Sequence, residues 1–421
     1  NTLNLGGDQL AGMFAAMDGN HIQDMGAERS LEAFQSMGVD NAMSMGGDNL
    51  AAMMDTMGAD LLGSLGGEQI FEVAGVMSSD NFVEMDPNTA FGMFDAMGTD
   101  MVLGMEGGQL AGMFSAMEGD QLANSMDSEF MADATAMMSF DDFNLMDGDS
   151  ALGVFDALGG SDAVLSTMEG DQLAGMFAAM EGDQLASVGE TGLIEAFGTM
   201  GVDNVGSMGG ENLAEMFGAM GGPALEQLDS AALQDAAVTM EGSHMVGLDA
   251  DVAVSMIDII GMSNAASTFN GDQLGGLIGA LEPNQIGDVL TSKVLLEATE
   301  KMTIEHFENV GGDQAAAIVN TLGLDQVFDL GGEQVAGMFA SMGGDQLESL
   351  GSSVVADALV NMGTENAIEM GATNIAEVVD TLDVSDMAVI GGDSLVDLAG
   401  AMTGEALSGL SSESAAAMVE T

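Results

Sequence analysis

The chain repeats itself every 20 residues, and that period limits its possible folds more than any other property. Residues 6–25 read GGDQLAGMFAAM then DGNHIQDM, residues 26–45 read GAERSLEAFQSM then GVDNAMSM, and residues 46–65 read GGDNLAAMMDTM then GADLLGSL. Each unit is a twelve-residue half followed by an eight-residue half. An apolar residue closes the twelve at Met17, Met37, Met57, Met77, Met97, Met117 and Met137. Another closes the eight at Met25, Met45, Leu65, Met85 and Met105. Three single-residue insertions are placed near 146–168. After them the beat resumes at Met180, Met200, Met220 and Met240 and runs on to Met342, Met362, Leu382 and Met402. About 21 units account for residues 1–421, so the expectation is one continuous repeat solenoid with no separate domain.

A longer period lies over the first. The string GGDQLAGMFAAM at 6–17 returns as EGDQLAGMFAAM at 169–180 and as GGEQVAGMFASM at 331–342. Asp133-Ala134-Thr135 likewise matches Glu297-Ala298-Thr299. The chain therefore reads as blocks of eight small units, roughly 6–168, 169–330 and the partial block 331–421.

Apolar spacing indicates what each unit folds into. Leu10, Met13, Phe14 and Met17 fall at i, i+3, i+4 and i+7, one face of an α-helix. Asp8 stands just ahead of them, where a carboxylate suits the helix N-terminus as cap and as dipole partner. The eight-residue half opens in the same way and stops early, as in EGDQLASV at 181–188, which predicts a short helix. Stretches such as Met101-Val102-Leu103 and Ala388-Val389-Ile390 leave a strand as the alternative. The expected fold is thus an all-α solenoid with a longer and a short helix per unit. The alternative is an α/β, leucine-rich-repeat-like solenoid. Neither helix is long enough to persist alone, so each unit must lean on its neighbours. Helices about 8–10 Å apart would extend the array to a rod on the order of 200 Å.

Charge excludes whole classes of function. There are 69 acidic residues against 3 Lys and Arg (Arg29, Lys293 and Lys301), a net charge of −66. Phosphate neutralisation needs clustered basic residues, so nucleic acid is not a partner. An anionic membrane surface would repel the chain. No run is apolar enough to span a bilayer, and Asn1-Thr2-Leu3-Asn4-Leu5 does not read as a leader. With no Cys there are neither disulfides nor thiolate zinc sites. A disordered acidic tail is excluded by a hydrophobic fraction of 47%.

Most conspicuous residues have structural explanations. The 41 Met recur where Leu and Ile substitute, at Leu158, Ile260, Leu322 and Leu382, as core packing requires. Carboxylates in the turns invite calcium, but no EF-hand loop or calcium-binding nonapeptide is present. The candidate metal cluster is Asp141, Asp142, Asp147 and Asp149, with Asp249 and Asp251 as a smaller pair. Helix capping accounts for most of these acids. No cofactor is required, and loosely bound Ca²⁺ or another divalent cation is the ion the chain would take. His21, His244 and His306 stand in short halves of distant units and read as isolated groove residues. No catalytic fingerprint is found, so the chain is not expected to be an enzyme.

Asn1–Leu5 reads as the end of a short half, and Ser411–Thr421 as a long half one residue short. Open stacking faces follow: either the true chain continues, or one copy's tail docks on the next copy's head, a contact that does not close and so builds filaments. The functional expectation is a structural repeat protein whose partner is itself, assembling as an extracellular or cell-surface filament or matrix. Saline surroundings there would screen the charge. The alternative is an adhesion or binding solenoid that uses its acidic face with Ca²⁺, bridging cations or a cationic partner.

Overall fold

The structure is a computed structural model in which residues 5–420 are described. Residues 1–4 and 421, on which part of the expectation about the chain's ends rests, lie outside them. Among the described residues all regular structure is helical. The short half is a helix, not a strand, as its shared opening with the long half predicts. Contacts divide the chain into two compact units, Asn1–Met208 and Gly209–Thr421, each an all-α repeat solenoid.

Long helices such as Gly107–Ala116 and Gly312–Leu322 alternate with short ones such as Gly119–Ser125 and Gly344–Leu350. The helices Gly47–Leu62 and Ser352–Glu369 are each a long and a short helix running on across a glycine of positive φ, Gly58 at 69° and Gly363 at 75°. No L side chain adopts that backbone cheaply, so glycine alone serves there.

Counted from the residue that opens each long half, the fourth, eighth and eleventh residues form the core. In the repeat opened by Glu106 these are Leu110, Phe114 and Met117, all buried. Leu173, Phe177 and Met180 repeat them after Glu169, as do Val335, Phe339 and Met342 after Gly331. Leu158, Ile260, Leu322 and Leu382 are buried in the same slot as methionine, so Met serves here as an adaptable apolar filler. Thr135 and Thr299 replace Phe at the eighth position. Each buries its hydroxyl by donating to the carbonyl four residues back, at 2.9 Å.

Three expectations need correction. Asp8 is not the cap: Gly6 opens the helix Gly7–Ala15, and Asp8 is inside its first turn, where its charge meets the dipole. The insertions also begin earlier than 146. The short half 118–126 already has nine residues, so the slot expected at Met137 passes to Met138. Met138 is 2% exposed and Met137 42%. Gly159, which ends its helix in the left-handed conformation, and one residue within 160–168 are two more, and the short halves 261–269 and 282–290 each have nine residues as well.

The third correction concerns neighbours. Within each compact unit a repeat touches the next one, but in many repeats the short helix packs most closely on the long helix two repeats on. Ser79–Val83 lies against Gly107–Ala116, Gly119–Ser125 against Gly148–Leu158, and Gly242–Val246 against Gly271–Gly279. Hydrogen bonds follow the same stride. The Gln109 Nε2 donates to the carbonyls of Ala74 and Met77 at 3.0 and 2.8 Å. Gln172 does the same to Thr135 and Met138, and Gln273 to Val238 and Met240.

Glycine sets how closely these helices approach. A Cβ on Gly112 would lie 2.5 Å from the Ser79 carbonyl oxygen, and one on Gly175 would lie 2.7 Å from that of Phe140. Both glycines occupy the sixth position, where the short helix from two repeats earlier crosses.

Candidate functional site

Residues three along from a helix opening decide how the turns are tied. In many turns with Gln there, its Oε1 accepts the opening residue's N–H, as for Glu106–Gln109 at 3.2 Å and Glu181–Gln184 at 2.9 Å. Its Nε2 is then free to reach another repeat. Asn is one methylene shorter and behind an opening glycine turns backward, whereas Asn81 behind Ser78 caps as Gln does. Asn41, Asn204 and Asn366 each donate to the last carbonyl of the preceding helix, at 2.8, 2.8 and 2.7 Å. The glycine between adopts positive φ: 75° at both Gly38 and Gly201. Opening glycines followed by Gln, such as Gly6 and Gly343, stay at negative φ, with Gly323 before Gln326 as an exception.

His21, His244 and His306 all occupy this same third position in short halves, which the sequence reading treated as incidental. The His244 Nδ1 accepts the Glu241 N–H at 3.1 Å, and the His306 Nδ1 accepts the Thr303 N–H at 3.0 Å. His21 differs because an aspartate opens its turn, and its Nδ1 lies 2.6 Å from the Asp18 carboxylate.

The four carboxylates proposed as a metal cluster have separate tasks. The Asp142 carboxylate accepts the Ser139 N–H and hydroxyl, both at 2.8 Å, in a capping box. Asp147 caps the next long helix through the Ser150 N–H at 2.7 Å. Asp149 accepts from the Gln184 Nε2 at 3.0 Å, and Asp141 is exposed. Asp249 and Asp251 open the helix Ala250–Ile260 and lie in its first turn. Among the described residues, no three His, Asp or Glu are grouped so as to hold a metal ion.

A more distinctive acidic place is an open cleft of about 780 Å³ lined by Asp55, Asp60, Asp86, Thr56, Asn88 and Thr89. The Asp55 Oδ1 accepts the Asp86 N–H at 3.0 Å across a two-repeat step. The Asp86 Oδ1 accepts the N–H groups of Asn88 and Thr89 at 3.0 and 3.3 Å. Burial raises the Asp55 pKa above the ordinary carboxylate value. The Asp86 N–H opposes that rise, the Asp86 charge adds to it, and the Thr89 hydroxyl opposes it again.

Asp380 repeats the geometry. It too stands ninth from its opening residue and accepts an N–H two repeats on, that of Ser411 at 2.7 Å. Burial again works to raise its pKa, but the Ser411 N–H and the hydroxyls of Ser414 and Ser411 together outweigh it, and the pKa is lowered. Asp55 is half-buried and Asp380 exposed, so burial weighs more on Asp55; the opening residue adds to the difference, since aspartate brings a charge that raises the pKa and serine a hydroxyl that lowers it. Sequence could have exposed these carboxylates only through a stride of 31 residues to a later opening, which nothing in a 20-residue period suggests. Both sites organise backbone, and neither pairs a nucleophile with a base.

No protein-family model and no curated protein matches the sequence. Among solved structures, the chain is similar to an engineered protein known from a crystal structure. That likeness has 14% identity over 98% of each chain and a TM-score of 0.32. It is also similar to a circular tandem repeat protein with a novel repeat topology and enhanced subunit contact surfaces. There the identity is 13% over 98% of this chain and 93% of that one, at a TM-score of 0.15. The fold assignment rests on the chain's own helices.

Proposed function

We propose that this chain is a structural repeat protein, without enzymatic activity, that builds an extracellular or cell-surface filament or matrix by stacking repeats of successive copies. The observation that supports this reading is how similar positions differ in exposure along the array. Val419 holds the eighth position, where Phe114, Phe177 and Phe339 are buried, yet it is 87% exposed. Val396 holds the fifth, where Ala111, Ala174 and Ala336 are buried, and is 71% exposed. Such valines suit a face that receives a further repeat of the same kind, which in the proposed assembly a second copy supplies.

A net charge of −66 sets the conditions for assembly. The Debye length is about 8 Å at physiological salt and about 30 Å at 0.01 M, so copies associate only in saline. Light scattering and negative-stain imaging of the purified chain test this at high concentration in low and in 500 mM salt. Salt-dependent filaments that Val396→Asp and Val419→Asp abolish are expected. A monodisperse monomer under all conditions refutes the assembly.

A further inference from the structure

We infer that the helix Gly271–Gly279 is an acid-sensitive joint, held from two sides by histidine-capped turns that loosen when their imidazoles take up a proton. This helix contains three glycines in five residues, and each lies against the backbone of a short turn. A Cβ on Gly276 would collide with the Gly242 carbonyl, one on Gly275 with that of His306, and one on Gly279 with that of Asn309. One turn is Gly242–Val246, opened by Glu241; the other is the 3-10 turn Glu305–Asn309. Asp272 joins both to the helix, accepting the Gly242 N–H at 2.7 Å and the Asn309 Nδ2 at 3.0 Å.

Both turns are closed by a histidine at the position where other repeats use Gln184, Gln285 or Gln346. An amide oxygen accepts a hydrogen bond at any pH, whereas Nδ1 accepts only while it has no proton. On protonation the His244 Nδ1–H would point at the Glu241 N–H, and the His306 Nδ1–H at the Thr303 N–H. Each backbone N–H would then face a second donor; at His306 the Thr303 hydroxyl, 3.1 Å from Nδ1, can turn to accept the new proton, but the Thr303 N–H still loses its acceptor. The imidazoles also lie over Gly210 and Gly271, which leaves them little room to turn in place.

Several charged groups stand on the elements packed around these rings. For His244 they are Glu241 on its own turn, Glu211 and Glu215 on Gly210–Met220, Asp272, and Glu305, His306 and Glu308 on the facing 3-10 turn. For His306 they are Glu305 and Glu308 on its own turn, Asp272, and Glu333 on Gly332–Ser341. Lys301 precedes the turn and donates to the Phe269 carbonyl. A ring that takes up a proton can no longer accept its cap N–H and leaves the cap for solvent. His21 is the built-in contrast. Its Nδ1 faces the Asp18 carboxylate, which a proton strengthens.

The sign follows from the acceptor role. The caps hold while Nδ1 carries no proton and are lost once acid places one there. Amide hydrogen exchange of the full chain, corrected for its intrinsic pH dependence, tests this at pH 7.5 and 5.5. Protection of 241–247 and 303–310 should fall about fivefold at the lower pH, the scale of one lost cap. Protection of 18–25 should hold or rise. The variant H244Q/H306Q, which installs the amide used in other repeats, should keep both segments equally protected at the two pH values. Its carboxylates are unchanged, so equal pH dependence in wild type and variant overturns the proposal, as does protection that rises in acid.

Discussion

Gly112→Ala and Gly12→Ala make the same chemical change at the same place in the same motif, LAGMF, and should act in opposite directions. A helical Ala is more favourable than Gly by about 1 kcal/mol, because the unfolded chain loses less freedom. At Gly12 a Cβ meets nothing within 4 Å, so that gain is realised in full. At Gly112 the Cβ would lie 2.5 Å from the Ser79 oxygen and 2.8 Å from its Cα, inside the 3.0 Å that real contacts observe. The obstacle is backbone, so the whole turn Ser79–Val83 must move away. Forced overpacking costs about 1–3 kcal/mol, and rigid backbone places this case at the upper end. The expected net loss is about 2 kcal/mol, or some thirtyfold in local opening. Local exchange of 79–83 and 107–116 is the fitting assay, since long repeat arrays need not unfold in one step. Both variants moving stability in the same direction would refute the crossing geometry.

Ser30 occupies a fourth position, where Leu10 and Leu50 stand in neighbouring repeats, and its fully buried hydroxyl has no partner. Ser30→Ala should therefore stabilise the helix Ala27–Met37 by about 1 kcal/mol, read as slower exchange of its amides. Asp55 and Asp380 should differ in pH dependence. The raised pKa of Asp55 means the folded state favours the protonated form, so its contribution weakens as pH rises from about 4 through the folded value. Asp55→Asn, which keeps the acceptor for Asp86, should raise stability at pH 7 and change little in acid, as urea titrations at both pH values would show. The lowered pKa of Asp380 gives stability that is present above about 4 and lost below it. Asp380→Ala should thus weaken the fold at pH 7, with a penalty that shrinks toward pH 3.

Helix in both halves, and the inward face of Leu10 and Phe14, were legible in the sequence because they are properties of a single helix. Spacing of 3.6 residues per turn acts within ten residues and needs no partner. The role of Met was legible for a similar reason: its exchange with Leu and Ile at one fixed slot shows an apolar demand whatever surrounds it.

What only the tertiary structure decided lies about 30 residues apart along the chain. A 20-residue repeat is equally compatible with packing on the first or the second neighbour. The choice depends on how two helices fit side by side, which no single unit encodes. From it follow the crossing at Gly112, the reach of Gln109 to Ala74, and the opposed pKa shifts of Asp55 and Asp380. The same holds for register at Met137. Counting residues cannot say where an extra one is absorbed. Burial of Met138 can, because a one-residue slip rotates a helical side chain by about 100° and only one of the two then reaches the core.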